Sequence, residues 1–292
     1  MKLEYKILWI EDDENWLRVP LKKIEQSISD YGFIPKIDVV LDCDVSSYDL
    51  FNYDMIFVDY NLDKCTPKQY GDKILSELQS KKIYADSIFY SSSNIDNLYS
   101  KVKESDLINV SVLPRDVFKS ENIKQVLNII GYFLKKELDL NTMRGIMMSE
   151  VAHFDNRIWE LLEKVQTKEE IIKFVRNKKN EQKENFDKCT DENLWNELSN
   201  KNTSTINLTS ASRGSYLKKT MMELFENNDS YLENINILKN YRKEIIDVRN
   251  SLAHRENIEA DDEKSFIAIR KNIIKHQENF ENINNIIKNL QI

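Results

Sequence analysis

The chain has 292 residues, 41% of them hydrophobic and 31% charged, with five Gly and four Pro, a composition that fits folded, helix-rich domains and excludes disordered or fibrous chains. Its length fits two domains, each able to bury its own core. The net charge of −7 sits almost wholly in residues 1–140, where 18 basic face 24 acidic side chains, so no broad positive field for nucleic acid exists and any such contact has to be local.

No apolar run approaches the roughly 20 residues of a membrane span, and the N-terminus lacks a basic segment followed by an apolar one and a cleavage site. A soluble, cytoplasmic protein with no membrane partner is expected. Cys43, Cys65 and Cys189 are odd in number and show no Cys-x-x-Cys spacing, which fits reduced thiols and no metal.

The first element is Lys6-Ile7-Leu8-Trp9-Ile10, an apolar run of the kind buried on both faces of a parallel sheet, ending abruptly in Glu11-Asp12-Asp13-Glu14. An amphipathic helix follows (Trp16, Leu17, Leu21, Ile24, Ile28), with Pro20 placed to kink it or delay its start and Gly32 to close it. A strand is expected over 34–40, and another at Met55-Ile56-Phe57-Val58, which ends in Asp59. Thr66-Pro67 marks the start of a second helix carrying Ile74, Leu75 and Leu78; strands at Ile88-Phe89-Tyr90 and Val110-Ser111-Val112-Leu113 complete the set. Such alternation predicts an α/β doubly wound, five-stranded parallel sheet over residues 1–138. In these sheets ligands sit at the carboxyl ends of the strands, where both acidic clusters fall. Carboxylates gathered there repel one another unless they hold a hard cation, and oxygen ligands of this kind suit Mg²⁺.

Residues 3–120 resemble the receiver domain of two-component response regulators, through Ile10-Glu11-Asp12-Asp13, through Phe57-Val58-Asp59-Tyr60-Asn61-Leu62 and through Tyr90-Ser91-Ser92. The resemblance implies that Asp59 accepts phosphate from a sensor histidine kinase. It further implies that Glu11, Asp12, Asp59 and the Asn61 backbone carbonyl place Mg²⁺, and that Ser91 follows the phosphoryl group. Where the family has Lys-Pro, this chain has Leu113-Pro114-Arg115-Asp116, leaving Arg115 as the cation for a phosphoryl oxygen, a fork where the family uses a point charge. Val112 stands where the family's aromatic switch residue is expected, so output is expected to run through the helix that follows.

From Glu121 apolar residues recur at helical spacing through Leu138 and on to Leu162 with no Gly/Pro/Ser-rich linker, which predicts a rigid helical rod joining the halves. The remainder, 139–292, reads as an all-α bundle with further helices near 168–188, 191–200, 214–228, 231–255 and 262–290, and with a polar loop or frayed helix between Arg176 and Gly214. No repeat, phosphate loop or helix-turn-helix signature is present, so no sequence-specific DNA binding is expected.

Near the end of one of these helices Arg249-Asn250-Ser251-Leu252-Ala253-His254 brings together a phosphate-binding cation, an amide and a residue that titrates near neutrality. Asn250 and His254, four apart, share a helical face. The segment resembles the ribonuclease motif of HEPN helical domains, an arginine, a polar residue after it and a histidine a few positions on. That resemblance covers roughly 141–292 and implies metal-independent RNA cleavage at a site shared across a homodimer, with no cofactor in the helical half. His254 would take the 2′-hydroxyl proton, Arg249 would stabilise developing charge, and Asn250 would orient the phosphate or the histidine. Such a combination suits a stress or phage-defence switch. Three other readings stand beside it: a helix end in which Arg249 pairs with Asp247 or Glu244, a HEPN-like module that dimerises or binds RNA or protein without cutting, and a phosphorelay through His153 in Ser149-Glu150-Val151-Ala152-His153-Phe154-Asp155-Asn156-Arg157. His276 has no recognisable context.

Overall fold

Seven consecutive residues, Glu4–Ile10, form strand β1, and from Ile7 onward every side chain is buried because both faces of the sheet are covered. A computed structural model describes residues 3–65, 68–92, 94–119, 122–181, 190–192, 195, 209–225, 231–254 and 262–289. The chain divides into two units, Lys2–Leu138 and Asp139–Ile292.

In the first unit, β1 is followed by α1 (Glu14–Asp30), β2 (Ile34–Val40), β3 (Met55–Asp59), β4 (Asn61–Leu62), β5 (Gln69–Tyr70), α2 (Gly71–Ser80), β6 (Asp86–Ser91), α3 (Ile95–Glu104), β7 (Val110–Pro114) and α4 (Lys124–Lys136). Five strands form one sheet in the order β2-β1-β3-β6-β7, every neighbouring pair parallel. This is the flavodoxin-like doubly wound arrangement, whose switch point lies between β1 and β3. Leu8, Ile10, Ile56, Val58 and Phe89 face a core shared with Ile74, Leu75 and Leu78 of α2 and with Leu98 of α3. Alternate residues of β1 point the other way, and on that side α1 packs against α4.

Several local expectations are corrected. Pro20 does not delay α1, which starts at Glu14 and runs through it with the proline buried. The second helix begins at Gly71, beyond Thr66 and Pro67, which lie outside the described residues; before it, β4 and β5 pair as a short antiparallel ladder. Gly71 fits where no larger residue does, because a Cβ there would collide with the Asp59 carbonyl oxygen. Helix α3 is an element the apolar spacing does not announce, since only Leu98 of its ten residues is fully buried. Cys43 and Cys65 are joined in a disulfide with Cα atoms 5.9 Å apart, in place of two free thiols, because the fold brings the loop after β2 beside the loop after β4. Cys189 lies outside the described residues.

The expected rod is two helices. Helix α4 is capped at Glu137, and Asp139, in extended backbone, starts α5 (Leu140–Val165) by accepting hydrogen bonds from the Asn141 and Thr142 backbone N–H groups. An N-cap carboxylate inside a run of helical spacing breaks the run, since its backbone leaves the helix while its side chain satisfies the next helix's first amides.

Among its described residues the second unit is helical: α5, α6 (Lys168–Glu181), α7 (Ser210–Leu224), α8 (Leu232–Tyr241), a π-helical turn at Arg242–Ile246, α9 (Asp247–Ala253) and α10 (Asp262–Asn289). Helix α5 is its centre, packing against α7, α9 and α10. Its buried residues Met143, Ile146, Met147, Val151, Phe154, Ile158, Leu161 and Leu162 keep the three-to-four spacing seen in the sequence. The stretch expected as one helix over 231–255 is interrupted by the π turn, a widened backbone turn that re-aims the residues after it. Most of the polar stretch between Arg176 and Gly214 and most of the 191–200 candidate lie outside the described residues.

Candidate phosphoryl-acceptor site

Parallel register places the carboxyl ends of β1, β3, β6 and β7 side by side, and each delivers a polar group there: Glu11 and Asp12, Asp59, Ser91, and Arg115 just beyond Pro114. One carboxylate oxygen from each of Glu11, Asp12 and Asp59 lies within 4.8 Å of the others. Glu11 and Asp59 are buried, at 0% and 1% exposure. Two ionised carboxylates so close and so dry are costly unless compensated. Arg115 supplies part of the compensation: Nη1 donates to Asp59 Oδ2 at 3.3 Å, Nη2 donates to Glu11 Oε1 at 3.1 Å, and Nη2 lies 3.9 Å from Asp13. Burial, and then the charge of Glu11, push the Asp59 carboxyl up to about 7 against the opposing pull of Arg115 and the Asn61 backbone N–H. Glu11 is also raised, by burial first, while Arg115 and a hydrogen bond from Tyr90 hold it down.

Aromatic side chains back these carboxylates. The Tyr90 hydroxyl donates to Glu11 Oε2 at 2.8 Å and accepts from the Trp9 indole N–H at 2.8 Å, so Glu11 is held from both oxygens. Asp13 caps α1 and its backbone N–H donates to Glu11 Oε1 at 2.9 Å. Asp12 is reached by the Lys64 backbone N–H at 2.7 Å, and the Ser91 hydroxyl accepts from the Asn61 side-chain amide at 3.1 Å. Asp59 Oδ1 is buried with no hydrogen-bond partner among the described residues. That orphaned acceptor, and three carboxylates with a single arginine bridging two of them, fit a small divalent cation with oxygen ligands.

Glu11, Asp12, Asp59 and Arg115 therefore meet in one place, and Ser91, at the end of the adjacent strand, bonds the Asn61 side chain. Trp16 and Tyr90, by contrast, escape a reading by spacing alone. Each looks like core aromatic sequence, and the only hint is that Trp16 stands two residues after an acidic run.

In the helical unit the outcome is mixed. Arg249 donates from Nε and Nη2 to Asn250 Oδ1 at 3.1 and 2.9 Å, so the amide serves the arginine, its neighbour in sequence, and not the histidine. His254 is the exposed C-cap of α9. Neither expected acid pairs with Arg249: Asp247 lies 3.7 Å from Arg242, and Glu244 bonds Lys275 and His276. The acid that feels its charge is Asp155 of α5, which also accepts from the Ser210 hydroxyl at 2.6 Å and lies 3.6 Å from Arg213; burial raises Asp155, and Ser210, Arg213 and Arg249 oppose it. No spacing rule links Asp155 to a motif almost a hundred residues away. His153 is exposed on an open groove of about 570 Å³ shared with Glu150, Arg157 and Gln277. His276, without context in sequence, is fully buried 3.0 Å from Glu244, and burial pushes it down to about 4 despite that acid.

No protein-family model and no curated protein matches the chain. Among solved structures, it is similar over 46% of its length to a Francisella response regulator receiver domain, at 20% identity and a TM-score of 0.34, covering 98% of that chain. It is also similar over 46% of its length to the Thermotoga maritima response regulator DrrB, an OmpR/PhoB homologue, at 17% identity and a TM-score of 0.32, covering 54% of that chain.

Proposed function

We propose that the chain is a phosphorylation-controlled signalling protein in which Asp59 accepts a phosphoryl group from a sensor histidine kinase. The observation that carries this reading is the meeting of Glu11, Asp12 and Asp59 within 4.8 Å at the strand ends, with Arg115 reaching two of them. Glu11, Asp12, Asp59 and the Asn61 backbone carbonyl are the groups assigned to Mg²⁺, which when bound would offset negative charge on donor and acceptor. An Asp59 oxygen forms the new bond to phosphorus as the bond to the donor's leaving group breaks; Arg115 and the Ser91 hydroxyl then receive the phosphoryl oxygens. With labelled acetyl phosphate and Mg²⁺, label on the protein is expected to disappear in Asp59→Asn and on chelation. Retention of full labelling by Asp59→Asn would remove the assignment.

The helical unit is assigned the output, as an RNA-directed effector acting as a homodimer in the cytoplasm, with Arg249, Asn250 and His254 as its candidate catalytic residues. Support comes from Arg249 and His254 standing at the end of one helix, His254 exposed to substrate and Arg249 prearranged by Asn250. Among the described residues no helix is long and apolar enough to cross a membrane. His254→Ala and Arg249→Ala are each expected to lose RNA cleavage by at least about a hundredfold, the scale of general acid–base catalysis, with helicity retained. Cleavage unchanged in both, or absent in the wild type, would leave the unit a binding or dimerisation module.

A further inference from the structure

An arginine where a point charge is expected raises a physical question: what keeps a long, flexible guanidinium spread across two carboxylates? The answer lies on α1. The Arg115 guanidinium carbon sits 4.2 Å from the centre of the Trp16 ring, the geometry of a cation–π contact. Trp16 is in turn fixed from behind. Its ring stacks on Tyr90 with centroids 5.6 Å apart and planes 26° from parallel, and meets the edge of Phe118 at 5.5 Å. Tyr90 itself is locked by its hydroxyl between Trp9 and Glu11. Arg115 and Phe118 belong to one 3₁₀ turn, so the segment that delivers the guanidinium also delivers part of the support for its platform.

We propose that Trp16 is a positioning residue of this site: its ring carries the Arg115 guanidinium so that the two arms of the fork meet Asp59 and Glu11 together. The proposal rests on the reading of Asp59 as the phosphoryl acceptor. Arg115 Nε is buried with no hydrogen-bond partner among the described residues, so its pairing within the unit is through the two terminal nitrogens, with the Trp16 ring against the guanidinium carbon. A planar guanidinium stacks on an indole and presents two parallel donors, while an ammonium of the same reach is a single compact charge. The pairing of a stacked arginine with an aromatic platform therefore replaces, with different parts, the cation that a phosphorylated carboxylate needs. Trp16 touches none of the reacting atoms and acts only through Arg115.

The test is a double-mutant cycle on the full chain, with Trp16→Leu, Arg115→Lys and the double variant, each incubated with labelled acetyl phosphate and Mg²⁺. Trp16→Leu is expected to slow labelling of Asp59 about tenfold, the size that corresponds to a partly desolvated cation–π contact. In the Arg115→Lys background the same change is expected to have little further effect, and Trp16→Phe is expected to recover part of the rate. Wild-type labelling in Trp16→Leu, or an equal slowing in both backgrounds, overturns the proposal. A second readout needs no phosphorylation: ring current from Trp16 is expected to shift the Arg115 side-chain N–H signals in the proton NMR spectrum, a shift lost in Trp16→Leu. If the wild type takes no label while that shift is present and lost as expected, the acceptor reading fails and the positioning of Arg115 stands. An Arg115 signal indifferent to Trp16→Leu overturns the positioning whatever the labelling shows.

Discussion

Burial and the proximity of Glu11 raise the Asp59 carboxyl to about 7. Its ordinary value is 3.8, so between roughly pH 4 and 7 the folded chain binds more protons than the unfolded chain, and stability falls as pH rises through that window. Without divalent cation, Asp59→Asn is therefore expected to be more stable than the wild type at pH 8 by roughly 1–4 kcal/mol, and the difference should shrink toward pH 4. Denaturant unfolding in a chelating buffer at both pH values decides it; a variant less stable at pH 8 would mean that burial does not burden this carboxylate. Glu11, Asp12 and Asp59 were legible in the sequence because each closes an apolar run or directly follows one, and the strand periodicity fixes which end of the sheet they occupy. Arg115 was legible by its place after the last strand, but its platform was not. Trp16, Tyr90 and Phe118 come from three separate elements, and nothing in spacing tells which aromatic rings will meet.

The sheet is legible in the sequence because both-sided burial writes near-continuous apolar runs. Helix α3 leaves no such trace, having one fully buried side chain in ten residues. The break between α4 and α5 leaves none either. Apolar spacing carries no information about the Asp139 cap, whose effect depends on backbone that leaves the helix for one residue. The π turn at Arg242–Ile246 is equally invisible to spacing, yet it turns Glu244 toward α10, where it bonds Lys275 and buried His276. Burial holds His276 near 4 against an ordinary 6.5, so the unfolded chain binds the extra proton first and this histidine's contribution is lost as pH falls from about 6.5 toward 4. Glu244, which burial would raise, is lowered overall by its bonds to Lys275 and His276, so its contribution is also lost on acidification. Replacing His276 by Gln is expected to abolish roughly 1–3 kcal/mol of the acid sensitivity of α10, followed by hydrogen exchange of its amides at pH 7 and pH 5. Equal acid sensitivity in the variant would place the titration elsewhere.

The whole molecule combines two units of opposite character, an acidic α/β unit and a near-neutral helical one, each with a core of its own. Their responses to pH should have opposite signs. Acidification from pH 7 to 5 relieves Asp59 and strengthens protection of the sheet, while it charges the unfolded form of His276 and weakens protection of α10. Legibility in the sequence depends on locality. The carboxylate cluster is built from strand ends, where sequence position and spatial position agree. In the helical unit the motif Arg249-Asn250-His254 is local, but the acid that answers Arg249 sits on α5, and any second copy of the motif lies beyond one chain.

On the proposed function Asp59, held among Glu11, Asp12 and Arg115, is the carboxylate that takes the phosphoryl group. Borohydride reduces an aspartyl phosphate to homoserine and so records its position. After treatment of the full chain with acetyl phosphate and Mg²⁺, peptide mapping is expected to find homoserine at position 59 and at no other aspartate, and none when the metal is chelated. Homoserine at another aspartate, or phosphate held on His153 with position 59 unchanged, would rule out Asp59 as the acceptor.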